Sequence, residues 1–138
     1  MKRRILVNGS TLKDLGGVMF SRLMDPVEIA KKCAMHSEMR YKHGAVILHE
    51  GRIISYGWNR SIKGKSGTGA AVGPAANSFH AEVDALCRLQ KRYRPMLPRC
   101  TMVVVRVNDR DCLKNSKPCE NCRRTIMEAR VGKTLYTT

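Results

Sequence analysis

Two short stretches restrict this chain more than anything else in it: His80-Ala81-Glu82, and Pro118-Cys119-Glu120-Asn121-Cys122. One imidazole and two thiols can hold a zinc ion and leave its fourth corner open, the pattern of a catalytic rather than a structural zinc site. A carboxylate two residues from the imidazole could then move protons at that corner. If both stretches serve one ion, any fold for this chain must bring them together.

Local geometry says how. Residues two apart on an ideal helix point about 200° away from each other. His80 and Glu82 therefore converge only if His80 stands at a helix entrance, before regular geometry begins. Cys119 and Cys122, three apart, fall on one side of a helix's first turn, and Pro118 suits the start of that helix. Each helix N-terminus carries roughly half a positive charge. Such ends favour ionised Cys119 and Cys122, the form that binds metal. With water at the open corner, Glu82 could take its proton and pass it on, the arrangement of a metal-assisted hydrolysis.

The rest of the chain reads as one domain, 25–138, preceded by a basic, loosely held arm, 1–24. Asp25 is a good N-cap, Pro26 suits the first helical position, and Glu28 completes a capping-box spacing. Val27, Ala30 and Ala34, with Met35 and Ser37, give a stripe that predicts a helix to about Met39. Ala45–His49 and Arg52–Trp58 around Glu50-Gly51 read as a β-hairpin. The stretch 60–77, rich in Gly and Ala, fits no regular element. A helix is expected from near Ser78, carrying Val83, Leu86 and Cys87, with a basic exit at Arg88, Lys91, Arg92, Arg94 and Arg99. Thr101–Val107 is apolar enough for a central strand. A polar loop, Asn108–Lys117, leads to the second motif and a helix that stops at Gly132. A last strand, Lys133–Thr138, gives the order α-β-β-α-β-α-β, which implies a partly parallel sheet with helices packed on it.

Twenty-six Lys and Arg against eleven Asp and Glu leave a net charge of +15 and a pI near 10.1. Such a field attracts polyanions, so nucleic acid or a phosphorylated substrate is expected. Lys2-Arg3-Arg4 precedes too short an apolar run for a secretory leader, and no stretch reaches membrane-spanning length. The six cysteines are therefore expected to stay reduced. The expected compartment is the cytoplasm, with the nucleus as the alternative.

HxE followed by PCxxC is the signature of zinc nucleobase deaminases. The chain resembles the cytidine and deoxycytidylate deaminase superfamily over about residues 26–138, including Gly44-Ala45-Val46 and Gly57-Trp58-Asn59. Gly57-Trp58-Asn59-Arg60 also resembles bacterial tRNA adenosine deaminases. The resemblance implies a three-layer α/β/α cytidine-deaminase-like fold with a mixed central sheet. It implies one zinc per chain on His80, Cys119 and Cys122, with Glu82 as the catalytic proton shuttle. Substrate contacts are expected from Asn59, from backbone groups around Ala81 and Cys119, and from Trp58 and Pro118. Trp58 reads equally well as plain strand core.

Three departures qualify the resemblance. The family's usual fifth strand is missing, so the last strand is either an exposed edge that favours a homo-oligomer or is covered by Ile5-Leu6-Val7. Asn108–Lys117 is longer than its counterpart in tRNA adenosine deaminases. The 60–77 loop has no Cys or His, so no second zinc is expected. The implied reaction is deamination of cytosine to uracil in a nucleoside, a dCMP-like nucleotide or a single-stranded nucleic acid. Two alternatives stand: adenosine deamination in tRNA, and a non-catalytic zinc module that binds RNA or DNA through a basic surface. Cys100 and Cys112 could instead join Cys119 and Cys122 in a structural site. Cys33 and Cys87 read as buried core, and His36, His43 and His49 as surface residues.

Overall fold

The computed structural model describes residues 5–7, 10–11, 25–61 and 78–138, so most of the arm and the stretch 62–77 lie outside the described residues. In chain order the strands are β1 (Ile5–Val7), β2 (Ser10–Thr11), β3 (Lys42–His49), β4 (Arg52–Trp58), β5 (Arg60–Ser61), β6 (Ser78–Phe79), β7 (Cys100–Val107), β8 (Leu113–Lys114) and β9 (Lys133–Thr137). The helices are α1 (Pro26–Met35), α2 (Ala81–Arg88) and α3 (Glu120–Glu128). The main path of the sheet runs β2-β1-β9-β7-β3-β4, with β8 on the end of β7. β7 and β9 are parallel, while β3 pairs antiparallel with both β4 and β7. The sheet is thus mixed, as expected.

β7 is apolar on both faces because both are covered. Val103, Val105 and Val107 face α1, meeting Val27, Ala30 and Ala34 together with Val46 and Leu135. Met102 and Val104 face the other way with Ala45 and Ile47, against Ala81, Ala85, Leu86 and Ile126. Alternation along the strands therefore sends one set of side chains to each helical layer. The result is three layers, with α1 on one side and α2 and α3 on the other.

Several sequence expectations hold at element level. The Asp25 carboxylate accepts the Val27 N–H at 2.9 Å, capping α1. The hairpin turn has positive φ at Glu50 (52°) and Gly51 (79°). That is the conformation a two-residue turn needs to match strand twist.

Others are corrected. α1 stops at Met35, which is half exposed, rather than near Met39. Ser78-Phe79 does not open a helix but pairs with Arg60-Ser61, so the residues on either side of 62–77 form a small ladder. The basic stretch after α2 is a 3₁₀ helix, Lys91–Arg99, whose Pro95 and Pro98 cannot donate the bonds of an α-helix. Its Leu97 is buried against the sheet. Cys87 is exposed on α2, whereas Cys33 is buried as expected. Of the two readings of the last strand's edge, cover by Ile5-Leu6-Val7 is the one found: Ile5 lies opposite Thr137 and Leu6 opposite Tyr136, antiparallel. Among the described residues, no helix is long and apolar enough to cross a membrane.

Candidate metal centre and active site

β4 and α2 build one wall of the site. Gly57 sits where α2 begins, and a Cβ there would lie 2.5 Å from the Ala85 nitrogen and 2.9 Å from the Ala81 oxygen. Only glycine allows this close an approach. It brings the helix start, and with it His80, down onto the sheet. His80 is the N-cap of α2, with φ −82° and ψ 154°, so it stands at the helix entrance in extended geometry. Glu82 lies in the first turn, buried at 4% exposure.

The second wall comes from the loop after β7. Ser116 stitches it down: its hydroxyl donates to the Val104 carbonyl at 2.7 Å and accepts the Thr137 N–H at 2.7 Å. Its own N–H donates to the Thr137 carbonyl at 2.8 Å. One residue separates this anchor from Pro118. Cys119 is the N-cap of α3 and Cys122 lies in its first turn, fully buried.

The two walls converge. A ring nitrogen of His80 and the sulfurs of Cys119 and Cys122 all lie within 4.8 Å of one another. His80 Nδ1 is 3.0 Å from the Cys122 sulfur and 3.6 Å from that of Cys119. Tetrahedral zinc, with bonds of about 2.05 Å to nitrogen and about 2.3 Å to sulfur, sets such atoms roughly 3.5 Å apart. The cluster fits one zinc. Cys100 is not part of it; its thiol donates to the Met96 carbonyl at 3.2 Å.

Burial dominates the electrostatics. It pushes the Glu82 carboxyl up to about 7, against the lowering influence of hydrogen bonds from its own backbone and from Cys122. It holds the His80 imidazolium down, which keeps the ring neutral and able to ligate. Without a metal, burial, followed by the charges of Glu82 and Cys119, pushes the Cys122 thiol up. A coordinating thiol is deprotonated by the metal itself.

These groups open into a cavity of about 270 Å³, lined among others by Asn59, His80, Ala81, Glu82 and Cys119. The Asn59 carboxamide is also a structural staple. Its Oδ1 accepts the His43 N–H at 2.9 Å and its Nδ2 donates to the Tyr41 carbonyl. One amide hydrogen and one lone pair remain for a substrate. Trp58 and Pro118 do not line this cavity. The Trp58 ring packs on His36 at 4.9 Å and under the Arg88 guanidinium at 4.5 Å. Pro118 lines a neighbouring cavity instead.

Three contributors carried no sequence signal. His43, expected at the surface, lines the cavity, and burial holds its imidazolium down. Tyr41, just before β3, also lines the cavity. Asp84 is fully buried and accepts from the Trp58 N–H, from Arg60 and, at 3.0 Å, from Arg88. Trp58 and Arg60 flank Asn59, so one carboxylate fixes both neighbours of a cavity residue against α2. An Asp two residues after Glu82 on an amphipathic helix looks like any polar position until the tertiary contacts are known.

A family profile described as the cytidine and deoxycytidylate deaminase zinc-binding region matches residues 21–138. No individual curated protein matches the chain in sequence. Among solved structures, a cytidine deaminase variant from Mycobacterium tuberculosis is 18% identical, covering 76% of this chain and 72% of its own, with a TM-score of 0.47. A dCMP deaminase from the cyanophage S-TIM5, in complex with dCMP and dUMP, is also 18% identical. It covers 88% of this chain and 79% of its own, with a TM-score of 0.45. The profile match spans far more than half of the sequence and contains every residue of the metal cluster. The chain belongs to the cytidine and deoxycytidylate deaminase family defined by that zinc-binding region.

Proposed function

We propose that this protein hydrolytically deaminates a cytosine base, giving uracil and ammonia, in a nucleoside, a dCMP-like nucleotide or a single-stranded nucleic acid. The observation that carries the reading is the buried Glu82 carboxyl, in hydrogen-bond contact with Cys122 and opening into the cavity that Asn59 lines. Zinc on His80, Cys119 and Cys122 would supply Lewis acidity and a place for the hydrolytic water. Glu82 would accept a proton from the hydrolytic water as its oxygen adds to the ring carbon that bears the amine, and deliver that proton to the ring nitrogen. It would then carry the remaining hydroxyl proton to the amine, so that the carbon–nitrogen bond breaks, ammonia leaves and the carbonyl forms. A carboxyl whose pKa sits near neutrality suits both halves of that transfer. Asn59 and the backbone at Ala81 orient the base or sugar.

A non-catalytic zinc module would have no use for Glu82, whose burial costs stability when it is ionised. Adenosine deamination in tRNA was raised by the Gly57–Arg60 motif. Arg60, however, is held by Asp84 and stacks on Phe79 at 4.9 Å, which explains the arginine structurally. The cytoplasmic setting and a homo-oligomer remain part of the proposal. The outer edge of β4 has no strand partner among the described residues and is the natural place for a second copy.

The test is ammonia release from cytidine, dCMP, a single-stranded oligonucleotide and tRNA, each with the zinc-loaded protein. Release from at least one cytosine substrate is expected. Release from tRNA adenosine alone would overturn the choice of base, and release from none would overturn the enzymatic reading.

A further inference from the structure

A second cavity, of about 440 Å³, lies between α3 and β9. Its apolar surface is supplied by Ile126, Val131 and the half-buried Tyr136, and its polar surface by Lys117, Arg123 and Lys133. No carboxylate lines it, and among the described residues none of the three cations is in an ion pair. Lys117 also lines the cavity that holds Glu82, so the two cavities meet at one lysine. Deamination of a single base makes no use of the second one.

Three unneutralised cations beside an aromatic ring, in a protein of net charge +15, match a polyanion that carries bases. Each phosphate neutralised releases counterions, and an exposed part of a tyrosine ring gives a base a face to stack on. The first cavity, of about 270 Å³, holds the groups that act on one base. Because Lys117 lines both cavities, a strand whose target base enters the first can continue past that lysine into the second. We propose that the cavity between α3 and β9 binds the nucleotides next to the target base in a single-stranded polynucleotide substrate. The proposal rests on the deaminase reading for the target base, but its binding test does not.

The experiment is fluorescence anisotropy with a labelled single-stranded oligonucleotide containing one cytosine, using the full-length zinc-loaded protein at several salt concentrations. Lys133→Glu should weaken binding about tenfold or more and reduce the salt slope by about one. Lys133→Gln should give a smaller loss in the same direction. Arg52→Glu, an equal charge reversal at the far edge of the sheet, should change binding less than about twofold. Equal effects of the Lys133 and Arg52 reversals would overturn the proposal, because only net charge would then matter. Equally tight binding of a duplex would overturn the single-stranded assignment. In parallel, Lys133→Glu should slow ammonia release from the oligonucleotide and leave that from dCMP within about twofold. Equal loss on both would also overturn the proposal. No ammonia from any substrate with the wild type would instead overturn the deaminase reading, while the anisotropy result still decides the cavity.

Discussion

Asp84 does at the residue scale what no motif announces. Its carboxylate is wholly enclosed, yet the two guanidiniums that meet it are partly solvated, at 42% and 35% side-chain exposure. Asp84→Ala would let both arginines return to water but would leave the Trp58 N–H without an acceptor. A loss of about 2 kcal/mol or more in urea denaturation is expected. Asp84→Asn keeps an acceptor and should lose less. If the site depends on this clamp, Asp84→Asn should raise KM more than it lowers kcat, since Asn59 is what the clamp positions. A variant of unchanged stability and unchanged KM would remove Asp84 from that role. His43 and Asp84 were illegible in the sequence for one reason: their importance lies in what they touch, and a lone polar residue does not declare its partners.

Among the elements, the start of α2 matters most. Four features place it: the extended N-cap at His80, the Asp84 N–H donating to the His80 carbonyl at 2.9 Å, the tight seat over Gly57, and the β5–β6 ladder just before it. Gly57→Ala puts a methyl group into backbone that cannot yield locally. It should destabilise the fold by about 1–3 kcal/mol. It should also displace His80 and Glu82 enough to lower kcat about tenfold or more. Thermal denaturation and steady-state kinetics check the two parts, and a stable, fully active Gly57→Ala protein would contradict this role for the glycine. The principal helices and strands were legible because their signals are periodic or local: the Asp25-Pro26 cap, the hairpin turn, the valine run of β7. The 3₁₀ helix at Lys91–Arg99 was not, since its two prolines excluded an α-helix without saying what replaces it. The ladder between β5 and β6 pairs residues across the whole 62–77 stretch, and short pairings of that range leave no local pattern.

Over the whole molecule, two strongly local motifs become one centre because a central sheet holds two helix starts at the same end. The metal ligands and Glu82 could be named from spacing and resemblance, since their chemistry needs those residue types in that order. Cavity walls are different: Trp58 and Pro118 belong to motif stretches in the chain but lie outside the cavity in space, while Tyr41 and His43, just before and at the start of β3, line it without belonging to a motif. The edge of β9 was legible only as a choice between exposure and cover by Ile5-Leu6-Val7, and the pairing of Ile5 with Thr137 decides it. The proposal that these observations support is that Glu82 moves protons beside a zinc ion it does not bind. Zinc content and ammonia release, measured together on the wild type and on Glu82→Gln, test it most directly. The expected result is about one zinc per chain in both proteins, with release slowed at least about 100-fold in the variant. An undiminished rate in Glu82→Gln, or loss of its zinc, would contradict it.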